Sequence, residues 1–248
     1  MDRDGQPGLL YTASVTVPVG IPFPYKGTLA LAGSGEYLPG MKSVDQALIS
    51  RLPGHARVVC LPTAAGTEGD DRLRYWMELG ETHFQSLGVA DVESLRVVTR
   101  SDAQDPGMAR RVQEANFVYI SGGKPYYLLE CLSGTPVMEA ILDNLRTGGV
   151  VAGCSAGAMI FGERIPNRSF IGGTLSALGV VPGHFIIPHF DEVPFVLRFA
   201  VPHIAGKLTL IGIEANTVLA CTNDSFEVLG TGSVALGRGN ELTRYSAV

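Results

Sequence analysis

Ser155 stands in Gly153-Cys154-Ser155-Ala156-Gly157-Ala158, directly after the apolar run Val150-Val151-Ala152. A β-branched run that breaks into small residues reads as a buried strand turning sharply into a helix. A serine on that corner is held in a strained backbone conformation with its hydroxyl presented. The helix that starts after it turns unpaired N–H groups toward an oxyanion formed on an attacked carbonyl. The chemistry of such a corner is acyl transfer. Gly-x-Ser-x-Gly also occurs in glycine-rich crossovers where small residues serve only packing, so the rest of the chain must supply a base, an acid and oxyanion donors.

A serine at neutral pH needs a base, and the candidates are His55, His83, His184, His189 and His203. His55 lies in a Pro-Gly turn, His83 on a helix face, and His203 at a helix end where it would complement the dipole. In Pro182-Gly183-His184-Phe185-Ile186-Ile187-Pro188-His189-Phe190-Asp191-Glu192, His184 opens an apolar strand and His189 follows its end. His189 therefore stands where a side chain can lean over a crevice at the carboxyl ends of strands.

The elements needed to position these groups follow from hydrophobic periodicity. Strands are expected at 27–33, 57–61, 92–98, 117–120 and 149–152. Helices are expected at 43–52, 70–87 and 105–115, with a helical segment over 125–146 interrupted at Gly134. This alternation predicts parallel βαβ units in a doubly wound, mostly parallel α/β sheet with helices on both faces. The crevice at the strand ends would then collect Gly33-Ser34-Gly35, Pro62-Thr63, Ser121-Gly122-Gly123 and Ser155. Beyond Leu178, short strands at 185–187, 208–213, 217–221, 226–229 and 233–236 predict an antiparallel C-terminal extension of the same sheet. Residues 1–25, with four prolines, read as an irregular arm preceding a single domain over 26–248.

The 248 residues carry 46% hydrophobic and 17% charged side chains, enough to bury a large core without staples. A net charge of -5 with no Lys/Arg-rich run argues against nucleic acid as a partner. Cys60, Cys131, Cys154 and Cys221 show no CxxC pairing, so free buried thiols and a cytoplasmic location are expected. No run is long and apolar enough to span a bilayer, and no signal-like leader is seen, so no membrane partner is expected. Gly33-Ser34-Gly35 lacks the third glycine of a dinucleotide fingerprint, and Gly122-Gly123-Lys124-Pro125 lacks the spacing of a phosphate loop. No cofactor or metal is expected. An α/β-hydrolase would place its acid before its histidine; Asp191 and His203 fit that order only nominally, since one helix is expected between them.

Six segments occur in order: Ala32-Gly33-Ser34-Gly35-Glu36, Leu61-Pro62-Thr63-Ala64, Tyr119-Ile120-Ser121-Gly122-Gly123, the Ser155 corner, Pro188-His189-Phe190, and Leu210-Ile211-Gly212-Ile213-Glu214. Together they resemble peptidase family S51, which contains aspartyl dipeptidases and cyanophycinases. The resemblance implies a fold similar to class I glutamine amidotransferases, with a Ser-His-Glu triad. It places the nucleophile at Ser155, the base at His189 and oxyanion donors on the backbone of Gly123 and Ala156. Family members carry Gly-Ile-acid-Glu where this chain has Gly212-Ile213-Glu214-Ala215, so Ala215 takes the place of the usual glutamate. Glu214 is the orienting acid through a one-residue shift, with Asp191, Glu192 and Asp224 as spatial alternatives. Lys124, Tyr126, Arg164 and Arg168 are candidate substrate contacts, and the resemblance makes a homodimer plausible.

Two classes of function follow. The first is a serine hydrolase cleaving a small peptide or an isopeptide-like amide through an acyl-enzyme on Ser155. The second, motivated by Ala215, is a catalytically impaired binding protein on the same scaffold. An amidotransferase subunit using Cys154 is a weaker third reading, because the residue before the corner serine turns its side chain away.

Overall fold

Strands buried on both faces read as unbroken apolar runs, and the first, fourth and fifth strands are buried at every position. The computed structural model describes residues 23–167, 173–193, 204–223, 225–239 and 241–247. Its first half runs β1 (Thr28–Ala32), α1 (Lys42–Ile49), β2 (Arg57–Leu61), α2 (Asp70–Ser86), β3 (Asp91–Ser94), α3 (Arg100–Gln104), α4 (Pro106–Glu114) and β4 (Phe117–Ile120). There follow α5 (Pro125–Leu132), α6 (Pro136–Thr147), β5 (Val150–Cys154), α7 (Ala156–Met159), β6 (Arg164–Pro166), β7 (Thr174–Ser176) and β8 (His184–Ile187). The chain closes with β9 (Thr209–Ile213), β10 (Thr217–Thr222), β11 (Ser225–Gly230), β12 (Ser233–Arg238) and β13 (Glu241–Ser246).

The main sheet has the order β11-β10-β1-β5-β4-β2-β3. The pairs from β1 to β3 are parallel, and β10 and β11 add an antiparallel edge beside β1. One face packs Val44, Leu48 and Phe84 of α1 and α2; the other packs Val112, Leu128 and Ile141 of α4, α5 and α6. Helices thus cover both faces, as the periodicity requires. No helix among the described residues is long and apolar enough to cross a membrane.

Two local readings are refined. The expected strand at 92–98 stops at Ser94 because the Asp102 carboxylate accepts the Val98 and Thr99 N–H groups and starts α3. The helical segment over 125–146 resolves into α5 and α6, separated at Gly134, where φ is +67°. The C-terminal strands divide: β10 and β11 extend the main sheet, whereas β8, β9, β12 and β13 join β6 and β7 in a second, six-stranded sheet. Alternation explains the division of labour in that second sheet. Ile186, Ile211 and Ile213 face the core shared with the main sheet, while Phe185, Leu210 and Phe190 form a separate apolar cluster on the other face. Residues 1–22, most of the expected arm, lie outside the described residues, as do Arg168, His203 and Asp224.

Candidate active site

The parallel strands β1, β5, β4 and β2 are neighbours, so the turns after their carboxyl ends come together. Ser155 occupies the turn after β5 with φ 51° and ψ −112°. A non-glycine residue there carries about 1–3 kcal/mol of strain unless its surroundings over-determine it. Here they do: Ser155 N–H donates to Ala32 O on β1 (3.0 Å), and Ser155 O accepts from Ala158 and Met159 N–H (3.0 and 3.1 Å). Close approach completes the corner. A Cβ on Gly157 would fall 2.3 Å from Ile120 O at the end of β4, which fixes the distance between the serine turn and the loop after β4.

That loop is Ser121-Gly122-Gly123-Lys124. Lys124 N–H donates to Ala64 O (3.0 Å), Ser121 N–H to Leu61 O (3.1 Å), and Gly122 N–H to Glu36 Oε1 (2.9 Å). Gly123 has φ +142° and would place a Cβ 2.5 Å from Ala64 O, so only glycine fits. Among the described residues, neither Gly123 N–H nor Ala156 N–H has an acceptor within the protein. Two unpaired backbone donors beside a corner serine are the composition of an oxyanion hole.

His189 lies just past β8, also at positive φ (51°), with Nε2 3.1 Å from Ser155 Oγ. Its turn is pinned to the neighbouring strand. Phe190 N–H donates to Ile213 O (3.0 Å), Asp191 Oδ1 accepts Ala215 N–H (2.9 Å), and Glu192 N–H closes the turn onto His189 O (3.0 Å). The carboxylate beside His189 Nδ1 is that of Glu192, 3.2 Å away, close enough for attraction but off the hydrogen-bonding direction.

Glu214 is engaged elsewhere. One carboxylate oxygen accepts Ser233 N–H (2.8 Å) and the other pairs with Arg244, whose guanidinium stacks over the Phe190 ring at 5.8 Å. Burial pushes its carboxyl up, but the bonds from Arg244 and Ser233 and the Arg244 charge outweigh that and hold it below the usual carboxylate range. Of the four acids considered for orienting His189, Glu214 and Asp191 thus have recorded bonds to other groups and Asp224 lies outside the described residues, while Glu192 stands at the imidazole. The acid at the imidazole is thus not the Glu214 of the one-residue shift but a residue three positions after the histidine in the same turn.

The other described histidines, His184, His83 and His55, have no recorded contact with the serine. His184 donates from Nδ1 to Pro182 O (2.7 Å) at the start of β8, and burial lowers its pKa. His83 Nε2 meets Asp45 Oδ2 at 2.8 Å deep under α1 and α2. His55 is exposed in its turn. Cys154 is fully buried with its thiol donating to Glu36 Oε2 (3.0 Å). Burial and the facing Glu36 carboxylate hold that thiol well above the ordinary range, so it stays protonated and is a poor nucleophile.

Among the substrate-contact candidates, Lys124 caps α5 beside the glycine loop and donates to Thr67 Oγ1 (2.8 Å). Tyr126 sits half-buried in the first turn of α5. The Arg164 guanidinium is committed to Thr174 across the β6–β7 pair. The residue that sequence reasoning passed over is Glu36: it was part of a motif, but nothing in the motif says where a carboxylate one step beyond a Gly-Ser-Gly turn will point.

The family model for peptidase family S51 matches residues 29–229, a span that includes Glu36, Gly123, Ser155, Ala156, His189 and Glu192. The chain belongs to peptidase family S51. Cyanophycinase of Synechococcus elongatus is 27% identical over 239 residues, covering 90% of this S51 chain and 72% of that protein. An uncharacterized peptidase of Listeria monocytogenes is 27% identical over 174 residues, covering 66% of this chain and 81% of its own. The crystal structure of a peptidase from an acI-B1 Actinobacterium superposes with a TM-score of 0.81 at 32% identity, covering 91% of this chain and 96% of that one. These relatives support a peptidase function for this S51 member and the same mixed α/β architecture.

Proposed function

We propose that this S51 chain is a serine peptidase that cleaves a small peptide or an isopeptide-like amide through an acyl-enzyme on Ser155. The observation that carries this reading is the 3.1 Å contact between His189 Nε2 and the Oγ of a serine held at φ 51°. His189 takes the hydroxyl proton as Oγ attacks the scissile carbonyl, then delivers it to the leaving amine; water repeats the sequence to release the acid. Gly123 and Ala156 N–H stabilise the oxyanion in both halves. Glu192 favours the imidazolium electrostatically from its position at Nδ1. The small-peptide and isopeptide alternatives rest on the likeness to dipeptidases and cyanophycinases, and Lys124 and Tyr126 flank the loop where such a substrate would enter. Cytoplasmic residence and a homodimer belong to the same reading; four free buried cysteines support the former.

The test needs no known substrate. A fluorophosphonate probe is read by intact mass on wild type, Ser155→Ala and His189→Ala. Single labelling of the wild type that is lost in both variants supports an activated serine and justifies screening aspartyl and β-aspartyl peptides. An unlabelled wild type would sink the reading.

A further inference from the structure

Glu36 lies one residue beyond the Gly33-Ser34-Gly35 turn that follows β1, yet both of its carboxylate oxygens are used by groups at the ends of the neighbouring strands β5 and β4. Oε1 accepts Gly122 N–H at 2.9 Å and Oε2 accepts the Cys154 thiol at 3.0 Å. A Cβ placed on Gly122 would lie 2.7 Å from Glu36 Oε1 and 3.1 Å from Ser155 Cβ, so the carboxylate and the nucleophile flank the same small space. Resting on the serine-peptidase reading, we propose that Glu36 is a positioning residue of the oxyanion hole: its carboxylate grips Gly122 N–H and Cys154 Sγ and thereby sets the Gly122–Gly123 peptide so that Gly123 N–H faces the carbonyl attacked by Ser155.

The argument is one of donor accounting. Two successive N–H groups in a glycine pair have no side chains to fix their direction, and the flanking bonds from Ser121 and Lys124 fix only the ends of the loop. Glu36 removes one of the two donors from competition. With Gly122 N–H committed to Glu36 on one side and Lys124 N–H bonded to Ala64 O on the other, the Gly122–Gly123 peptide is held between two fixed peptides and Gly123 N–H is the donor left over, an assignment that water on a freely turning loop would not make. The Cys154 thiol supplies the second anchor. It lies in β5 immediately before Ser155, so one carboxylate ties the serine corner to the donor loop across the crevice. Removing one donor of such a hole ordinarily costs about a hundredfold or more in rate.

The experiment compares fluorophosphonate labelling rates at Ser155 for wild type, Glu36→Gln, Glu36→Met and Glu36→Ala, each with a thermal melt. Gln keeps an acceptor for Gly122 N–H; Met fills the volume and accepts nothing; Ala is a second non-accepting variant should Met fail to fold. The expected result is labelling at least about tenfold slower in Met and Ala, with Gln recovering most of the wild-type rate. A melting temperature lowered equally in all three while labelling stays within about threefold of wild type would overturn the positioning role. So would a Gln variant as slow as Met, which would place the requirement on charge. A wild type that never labels refutes the underlying serine mechanism and this inference with it, and is distinguishable from both.

Discussion

The weakest contact in the site gives the sharpest prediction. Glu192 stands 3.2 Å from His189 Nδ1, but the two side chains are 63% and 40% exposed and no aligned hydrogen bond joins them. At that separation two unit charges in a water-like medium attract by about 1 kcal/mol, and exposed pairs measured in proteins contribute 0.2 to about 1 kcal/mol. Glu192→Gln should therefore remove at most about 1 kcal/mol of imidazolium stabilisation, a loss of about twofold to fivefold in the rate of Ser155 phosphonylation. A buried, hydrogen-bonded acid behaves differently, costing about four orders of magnitude when neutralised. The assay is the second-order rate constant of fluorophosphonate inactivation for wild type and Glu192→Gln at fixed pH, with hydrolysis of a confirmed peptide substrate as the second measure. A loss greater than about fiftyfold would show that Glu192 acts as a desolvated triad acid and refute the exposure argument.

Three further outcomes follow from contacts on and around the site. Gly157→Ala drives a Cβ to 2.3 Å from Ile120 O, so the variant should lose about 1–3 kcal/mol in urea unfolding and label at least tenfold more slowly, because β4 carries the donor loop. His83→Ala strips the buried Asp45 carboxyl of the imidazole that pairs with it and should cost about 3–5 kcal/mol, read from the urea midpoint. Glu214→Gln should cost about 1 kcal/mol at pH 7 through the lost Arg244 pair. Because the folded carboxyl is held below its ordinary value of 4.5, that difference is fully present above this value and fades as pH falls through the depressed folded value. A wild-type minus Glu214→Gln difference that grows on acidification would contradict the sign.

What could be read in the residues is the part governed by periodicity and steric necessity. The runs at β1, β4 and β5 are buried on both faces and announce a parallel sheet. The corner at Ser155 is dictated by small residues that let β4 and β5 approach. Strand-end position alone does not single out His189; the Pro188-His189-Phe190 likeness to peptidase family S51 does, and the structure brings its Nε2 to 3.1 Å from Ser155 Oγ. The second sheet leaves no local signature, since β6 and β7 are three residues each and short strands do not declare which partner, parallel or antiparallel, they take. The expectation for Glu214 meets Arg244 instead of His189, because strand-end position says nothing about whether a carboxylate meets an imidazole or an arginine. Arg244, thirty positions downstream, decides that, and long-range charge pairing leaves no local signature.

The same geometry weighs between catalysis and mere binding on this scaffold. A binding protein needs concave surface and complementary groups, and gains nothing from holding two facing residues in left-handed backbone. Ser155 and His189 both sit at φ 51°, and each is kept there by hydrogen bonds to strands on either side of the crevice. Such strain persists where the surrounding fold enforces it, and the conformation it enforces aims Oγ at Nε2 and leaves two N–H groups without acceptors. Ala215 N–H donates to Asp191 Oδ1 and so ties the His189 turn to the segment after β9. On the serine-peptidase reading proposed above, the strained serine, the histidine at its hydroxyl and the open donors are the elements that would stabilise a transition state. The arrangement therefore supports the proposed hydrolase reading over a protein that only binds.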